Sequence, residues 1–423
     1  MIEHCFAVAS TEATDAGCHF PDLVEIAICL GEGRHDRATD LVAKVDLDPE
    51  EFWHFIASNK LKNLFAFESD FVDCLPEPLP TRLRKHLSHQ RIRQQEYTSE
   101  LALVASTFQN AGIRMLALKG PALGKRIFTD PLSRFFCDLD TLVDPGQVEN
   151  AILLLESLGY SMTGERKRLS HHRLQTNHAV ELRRENTRLD LHWHLRNVSF
   201  YRLDMHKVWE HSQPTEFCGT AVSVPSDEYT LVLLCLSIVD DLSLGKLRIK
   251  HILDLHLMLQ LADKMCDWEN FFAARRSDNT LSVILNALAI LDGITPPGSL
   301  PVSLKESIRP YSSFIVTRNP KACRQLVVQR RRSFLVWLWI MQVYPANSFR
   351  DLVDFFKFQL PHVGSAPRMV WRLGLRMYQA GKFLAHQRRL RAVLSRWRYP
   401  KSLAQNASGE YLFSGSRTQQ RVE

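Results

Sequence analysis

The sequence predicts an α+β chain in which a small mixed-sheet core sits between helical N- and C-terminal regions. Two changes of hydrophobic period carry this reading. Up to about residue 110 apolar residues recur at helical spacing; between 111 and 200 they gather in short runs bounded by glycine; after 201 the helical spacing returns. The expected organisation is a helical region over 1–110, an α/β core over 111–200, a second helical region over 201–345, and a basic amphipathic tail with a disordered end over 346–423.

Each element has its own signals. Pro21 opens a first helix that Gly31 closes, and Asp48-Pro49-Glu50-Glu51 supplies an N-cap, a proline and first-turn acids for a helix running to 60. Pro76, Pro78 and Pro80 interrupt the pattern before a long helix over 82–110. The apolar run 113–118, between Gly112 and Gly120, suits a buried strand, and 121–128 reads as a helix with Pro121 at its first position. A second strand is expected over 135–143, then a helix over 145–158 that ends at Gly159. Strands over 178–183 and 188–195 flank Arg184-Glu185-Asn186-Thr187, a hairpin signal. Ser226-Asp227-Glu228 caps a helix to 239, and further helices are expected over 247–262, 267–274 and 280–291, with no internal repeat.

Composition narrows the class. With 45% hydrophobic and 23% charged residues the chain is of ordinary globular type. The formal charge is +7, but 355–409 holds eleven Lys or Arg and no Asp or Glu, so the rest of the chain is mildly acidic. Basicity is therefore a property of one tail, and no specific nucleic-acid partner is expected from it. The nine cysteines lack CxxC pairs, which argues against a zinc ribbon or a disulfide framework and fits a reducing compartment. No secretory signal is expected at the N-terminus, and the longest apolar stretches, 231–239 and 334–344, are too short to span a bilayer. The expected location is the cytoplasm, with the inner membrane surface as the place of any peripheral contact.

The chemistry concentrates in the expected sheet. On a strand alternate residues share a face, so Asp138 and Asp140 in Cys137-Asp138-Leu139-Asp140-Thr141 point the same way. Two carboxylates on one face repel each other, and a divalent ion with oxygen ligands relieves the repulsion. Mg²⁺, which also binds substrate phosphates, is the expected occupant. Upstream, Leu118-Lys119-Gly120-Pro121 places a glycine at a strand-to-helix turn, where backbone can approach a phosphate. Downstream, Leu189-Asp190-Leu191-His192 brings a third carboxylate on a second apolar strand.

These motifs, with Arg134, the Asp138-to-Val143 run, Leu158-Gly159-Tyr160 and Leu189-to-Trp193, resemble the bacterial uncharacterised nucleotidyltransferase family, a distant branch of the polymerase-beta-like superfamily. The likeness extends from the helix near Phe52 to the segment 246–254. It implies transfer of a nucleoside monophosphate from an NTP to an unknown acceptor, with Asp138, Asp140 and Asp190 as metal-binding and catalytic residues and Asp190 helping to deprotonate the acceptor. Lys119, Gly120, Pro121, Arg134 and His192 would contact the nucleotide. Pro121 stands where the superfamily usually has serine, which removes a hydroxyl and an N–H.

Other chemistries compete. Asp190, His192 and His194 on one strand, with His171, His172 and His178 near in sequence, allow a zinc site. A nucleotidyltransferase-like binding module without turnover uses the same residues. In the tail, arginines from Arg368 to Arg398 alternate with Trp371, Leu373, Phe383, Leu390 and Leu394; this basic amphipathic pattern suits an anionic membrane, an acidic partner or docking on the acidic body. It makes a membrane-surface accessory protein of envelope or natural-product biosynthesis a third reading.

Overall fold

A computed structural model describes residues 20–163, 178–195, 201, 203–243 and 247–315, all within the unit Met1–Pro345. The tail expected over 346–423, with His171 and His172, lies outside the described residues.

The described chain is α+β, as the sequence predicts: a seven-stranded mixed sheet with helices around it. The strands are β1 (Met115–Ala117), β2 (Leu139–Val143), β3 (Ser161–Met162), β4 (Ala179–Arg184), β5 (Thr187–His192), β6 (Gln213–Phe217) and β7 (Thr220–Val224). Their order is β3-β4-β5-β2-β1-β7-β6. The β2–β5 and β1–β7 pairs are parallel and the other four antiparallel. The expected hairpin closes through Glu185 and Asn186, Glu185 taking a positive φ of 48° as a two-residue turn requires.

Among the boundaries that differ from the sequence reading, two bear on the site. The sheet continues past residue 201 into β6 and β7, joined at Cys218 (φ 48°) and Gly219 (φ 76°). Pro214 sits within β6, which it can because β6 is an edge strand with no ladder partner on one side. Strand β2 is also shorter than expected. The stretch before it is held by side chains of the long helix Leu79–Asn110: Gln94 donates to the Arg134 carbonyl (2.8 Å) and Tyr97 to the Cys137 carbonyl (2.7 Å).

The two sheet faces differ. On one, Ala117, Leu139, Val143, Val180, Leu182, Leu189 and Leu191 pack with Leu101, Val104, Ala105 and Phe108 of the long helix and with Val148, Ala151 and Leu155 of the helix Val148–Ser157. Each of the buried valines, leucines and the phenylalanine stabilises the fold by roughly 1.5–3 kcal/mol, the alanines by less. The other face is apolar only in part: Leu116, Leu118 and Leu142 meet Val208, Tyr229 and Leu233. Its remainder carries the acids.

Beyond the sheet, the helices Asp227–Ser243, Ile249–Ala262 and Leu281–Ile294 pack on one another. Ile249–Ala262 also packs on Phe20–Gly31, closely enough that a Cβ on Gly31 would lie 2.9 Å from Leu253. The capping read at Asp48 is present: its carboxylate accepts from the backbone N–H of Glu50 (3.0 Å) and Glu51 (2.8 Å). No helix among the described residues is long and apolar enough to cross a membrane.

Candidate metal centre and active site

The site is built on the parallel β2–β5 pair. Asp140 is directly opposite Asp190 in the register, so their side chains leave the same face. On the other side of β5, Glu181 pairs with Asp190 and extends the row to three acids. His192, two residues along β5, returns to this face, and its Nε2 is 3.2 Å from Asp140 Oδ1. One donor atom from each of Asp140, Asp190 and His192 falls within 4.8 Å of the others. This is a donor set for a divalent metal, and Asp190 Oδ1 is buried with no hydrogen-bond partner in the protein. A buried carboxylate oxygen left unpaired is costly unless a cation or donor meets it.

The electrostatics follow from this crowding. Burial, then the charges of Asp140 and Asp138, push the Asp190 carboxyl up to about 7, against the pull of Arg188. Asp138, immediately before β2, is raised by burial and by Asp140, while Lys60, Lys250 and Arg188 act in the opposite sense. Asp138 thus belongs electrostatically to the cluster, although the three-atom donor group does not include it.

The glycine turn lies against the acid segment. Gly120 has φ 58° and ψ −129°, a conformation that L side chains rarely adopt, and a Cβ there would lie 3.1 Å from the Asp138 carbonyl. Leu118 N–H donates to the Asp140 carbonyl (2.9 Å), joining the end of β1 to the acids. Pro121 occupies the first position of the helix Pro121–Ile127, where its missing N–H costs little.

Arg134 has a different setting from an exposed phosphate ligand. It is 3% exposed, and its Nε and Nη2 donate to Asp254 Oδ1 and Oδ2, each at 2.9 Å, while Nη1 donates to the Gly120 carbonyl at 3.0 Å. Asp254 also accepts from Lys250 Nζ (3.1 Å). The two cations hold the Asp254 carboxyl well below the usual range, and burial, then Arg134, pull the Lys250 ammonium down to about 8. The Arg134–Asp254 fork therefore ties the glycine turn to the helix Ile249–Ala262. Lys119, the other expected phosphate cation, donates to Ser237 Oγ (2.8 Å).

His194 lies past the end of β5 and outside the three-donor group, with burial lowering its imidazole. His178 packs beside His192, ring centroids 5.7 Å apart. Five residues around the site carry no expectation from sequence: Lys60, Glu181, Arg188, Lys250 and Asp254. Lys250 and Asp254 left a trace, since an i,i+4 cation–anion pair on the buried face of an apolar helix is out of place unless it meets a further charge.

All these residues lie within the span 46–293, which matches the model of a family described as uncharacterised nucleotidyltransferases. The chain belongs to that family. In this nucleotidyltransferase family member the match takes in the whole sheet, the glycine turn and the Ile249–Ala262 helix that Arg134 anchors. No curated protein matches the chain.

Proposed function

We propose that the protein transfers a nucleoside monophosphate from an NTP to an acceptor hydroxyl, with Asp138, Asp140 and Asp190 binding the divalent cation. The carrying observation is the register pairing of Asp140 with Asp190, which sets two acids side by side and leaves Asp190 Oδ1 buried and unpaired. Family membership supports the reaction class, and the likeness to polymerase-beta-like enzymes supports the assignment of roles.

In this reading the acceptor oxygen attacks the α-phosphorus, the bond from that phosphorus to the pyrophosphate oxygen breaks, and the acceptor proton passes to Asp190. A bound divalent cation such as Mg²⁺ would supply Lewis-acid neutralisation of the phosphate charge. Lys119 and Gly120 receive the triphosphate, the glycine because the lack of a side chain lets its turn lie against Asp138. Pro121 sets the start of the following helix. Arg134 acts as a positioning residue that holds the turn through the Gly120 carbonyl.

The test has two stages. Thermal shift with each NTP, with and without Mg²⁺ or Mn²⁺, should show stabilisation that needs both metal and nucleotide and is lost in Asp140→Asn. Incubation with α-labelled and γ-labelled NTP and a cell extract should then move only the α label to an acceptor. Stabilisation unchanged by Asp140→Asn would overturn the site; binding without α-label transfer would leave a nucleotide-binding module without turnover.

A further inference from the structure

We propose that His192 is a direct ligand of the cation, and that the site therefore selects Mn²⁺ over Mg²⁺. This rests on the reading of the acid cluster as a cation site and adds to it a preference between two ions.

The geometry puts an imidazole where an all-carboxylate centre would have water or oxygen. His192 is 7% exposed, and its strand is paired on both sides, with Leu142 of β2 and Ala179 of β4 opposite it. The ring is flanked by His178, so it has little freedom to swing away. Its Nε2 faces Asp140 Oδ1 at 3.2 Å, while Nδ1 is buried without a hydrogen-bond partner in the protein. The ring's one specific polar contact is thus directed at the acids. Ligand atoms on one ion, each about 2.0–2.2 Å from it, lie roughly 3–4.4 Å apart. The Asp140–His192 separation already falls in that range, and the 4.8 Å spread of the full group needs only a small contraction.

Ligation by Nε2 requires its lone pair, so the ring must be neutral with its hydrogen on Nδ1. An ionised Asp140 can only accept, so the 3.2 Å contact is made with the hydrogen on Nε2; cation binding replaces that contact with two bonds to one ion and requires the ring's hydrogen to move from Nε2 to Nδ1. A mixed set of two carboxylates and one imidazole discriminates among ions. Mg²⁺ demands near-ideal octahedral oxygen coordination, whereas affinity for nitrogen donors rises from Mn²⁺ along the first transition row. Asp138, outside the three-atom group, would add a further carboxylate to the same cation site, as the proposed function has it.

Mn²⁺ binding to the full-length protein, followed by the loss of the free-ion EPR signal, should be at least about tenfold tighter than Mg²⁺ binding measured by competition, a difference of about 1.4 kcal/mol. Electron spin-echo modulation of the bound Mn²⁺ should show a directly coordinated ¹⁴N. In His192→Gln, the ¹⁴N signal should vanish and the Mn²⁺ preference should collapse towards unity, with Mn²⁺ still held by the acids. Bound Mn²⁺ without ¹⁴N modulation in the unsubstituted protein would overturn the proposal and leave the carboxylate site intact. A Mn²⁺-to-Mg²⁺ ratio near unity would overturn the selectivity. Failure of both ions to bind, or binding indifferent to Asp140→Asn, would sink the cation-site reading itself. If His192→Gln does not fold, the ¹⁴N signal of the unsubstituted protein decides alone.

Discussion

Replacing Asp190 by asparagine should stabilise the metal-free protein, and the gain should appear only above acid pH. The Asp190 carboxyl is raised from 3.8 to about 7 by burial and by Asp140 and Asp138. That is roughly three pH units at about 1.36 kcal/mol each, or ~4 kcal/mol of preference for the neutral form in the folded state. For an acid raised in this way, the stabilising contribution is fully present below about pH 4, where the carboxyl is protonated in both states. It is lost as pH rises through about 7, because the unfolded chain gives up its proton first. Asparagine mimics the neutral acid at every pH and should not suffer that loss. The expected difference is near zero at ~pH 4 and about 3–5 kcal/mol at ~pH 8, or some 6–10 °C in melting temperature at about 2 °C per kcal/mol. Asp138 is raised in the same direction and interacts with Asp190, so the difference between the two proteins reports the relief of the whole acid cluster.

The assay is differential scanning fluorimetry in chelator across ~pH 4 to ~pH 8, repeated with saturating Mn²⁺. Metal should restore the unsubstituted protein at high pH and leave Asp190→Asn nearly unchanged, because binding to the folded state alone stabilises it by mass action. A gain of equal size at both pH extremes would mean that packing rather than charge is responsible. A fall in melting temperature at ~pH 8 would show that Asp190 is structurally paired, and would refute the reasoning.

Three further outcomes follow from the same structure. Asp254→Asn leaves Arg134 and Lys250 buried without their counter-charge and should cost about 3–5 kcal/mol in denaturant unfolding. Lys250 stands at about 8 with Asp254 beside it and falls further once that counter-charge is gone, so part of the cost should be recovered as pH rises towards about 8, above which both proteins have shed the proton and the difference is constant. Gly120→Ala should lose about 1–3 kcal/mol, since it forces a side chain to φ 58° beside the Asp138 carbonyl, and should also weaken NTP binding in equilibrium titration. Lys119→Met should cost about 1–3 kcal/mol of stability through the lost Ser237 bond and raise the NTP dissociation constant by at least tenfold, the worth of one charge-assisted hydrogen bond of about 1.5–3 kcal/mol; an unaltered constant removes Lys119 from the nucleotide site.

What was legible in the sequence is what depends on neighbours in the chain. Alternation along single strands flagged Asp140 and Asp190, whereas Asp138, expected on the same strand face as Asp140, lies just before β2; a glycine followed by proline marked the turn that opens the next helix. The β4–β5 hairpin was legible for the same reason, its two strands being separated by only two residues. The β6–β7 hairpin carried a comparable mark in Cys218-Gly219, but Pro214 disguised β6, because proline argues against a strand unless the strand is known to lie at an edge.

The parts that sequence did not disclose are pairings between distant segments, and these decide what each charge is for. Nothing in residues 139–143 or 187–192 alone says that the two strands run parallel with Asp140 opposite Asp190; a slip of one residue would send one acid to the packed face. Likewise Arg134 and Asp254 are separated by 120 positions, and only their contact turns an apparent phosphate ligand into the fastening of the glycine turn. The cations thus serve two tasks. Arg134 and Lys250 share Asp254, Arg134 also holding the turn through the Gly120 carbonyl, and Lys60, Lys250 and Arg188 act on Asp138 against burial and Asp140. Because the row Glu181–Asp190–Asp140 is only partly offset by them, the Asp190 carboxyl stays raised in the bare protein, and a divalent cation there would relieve repulsion that the fold itself leaves standing.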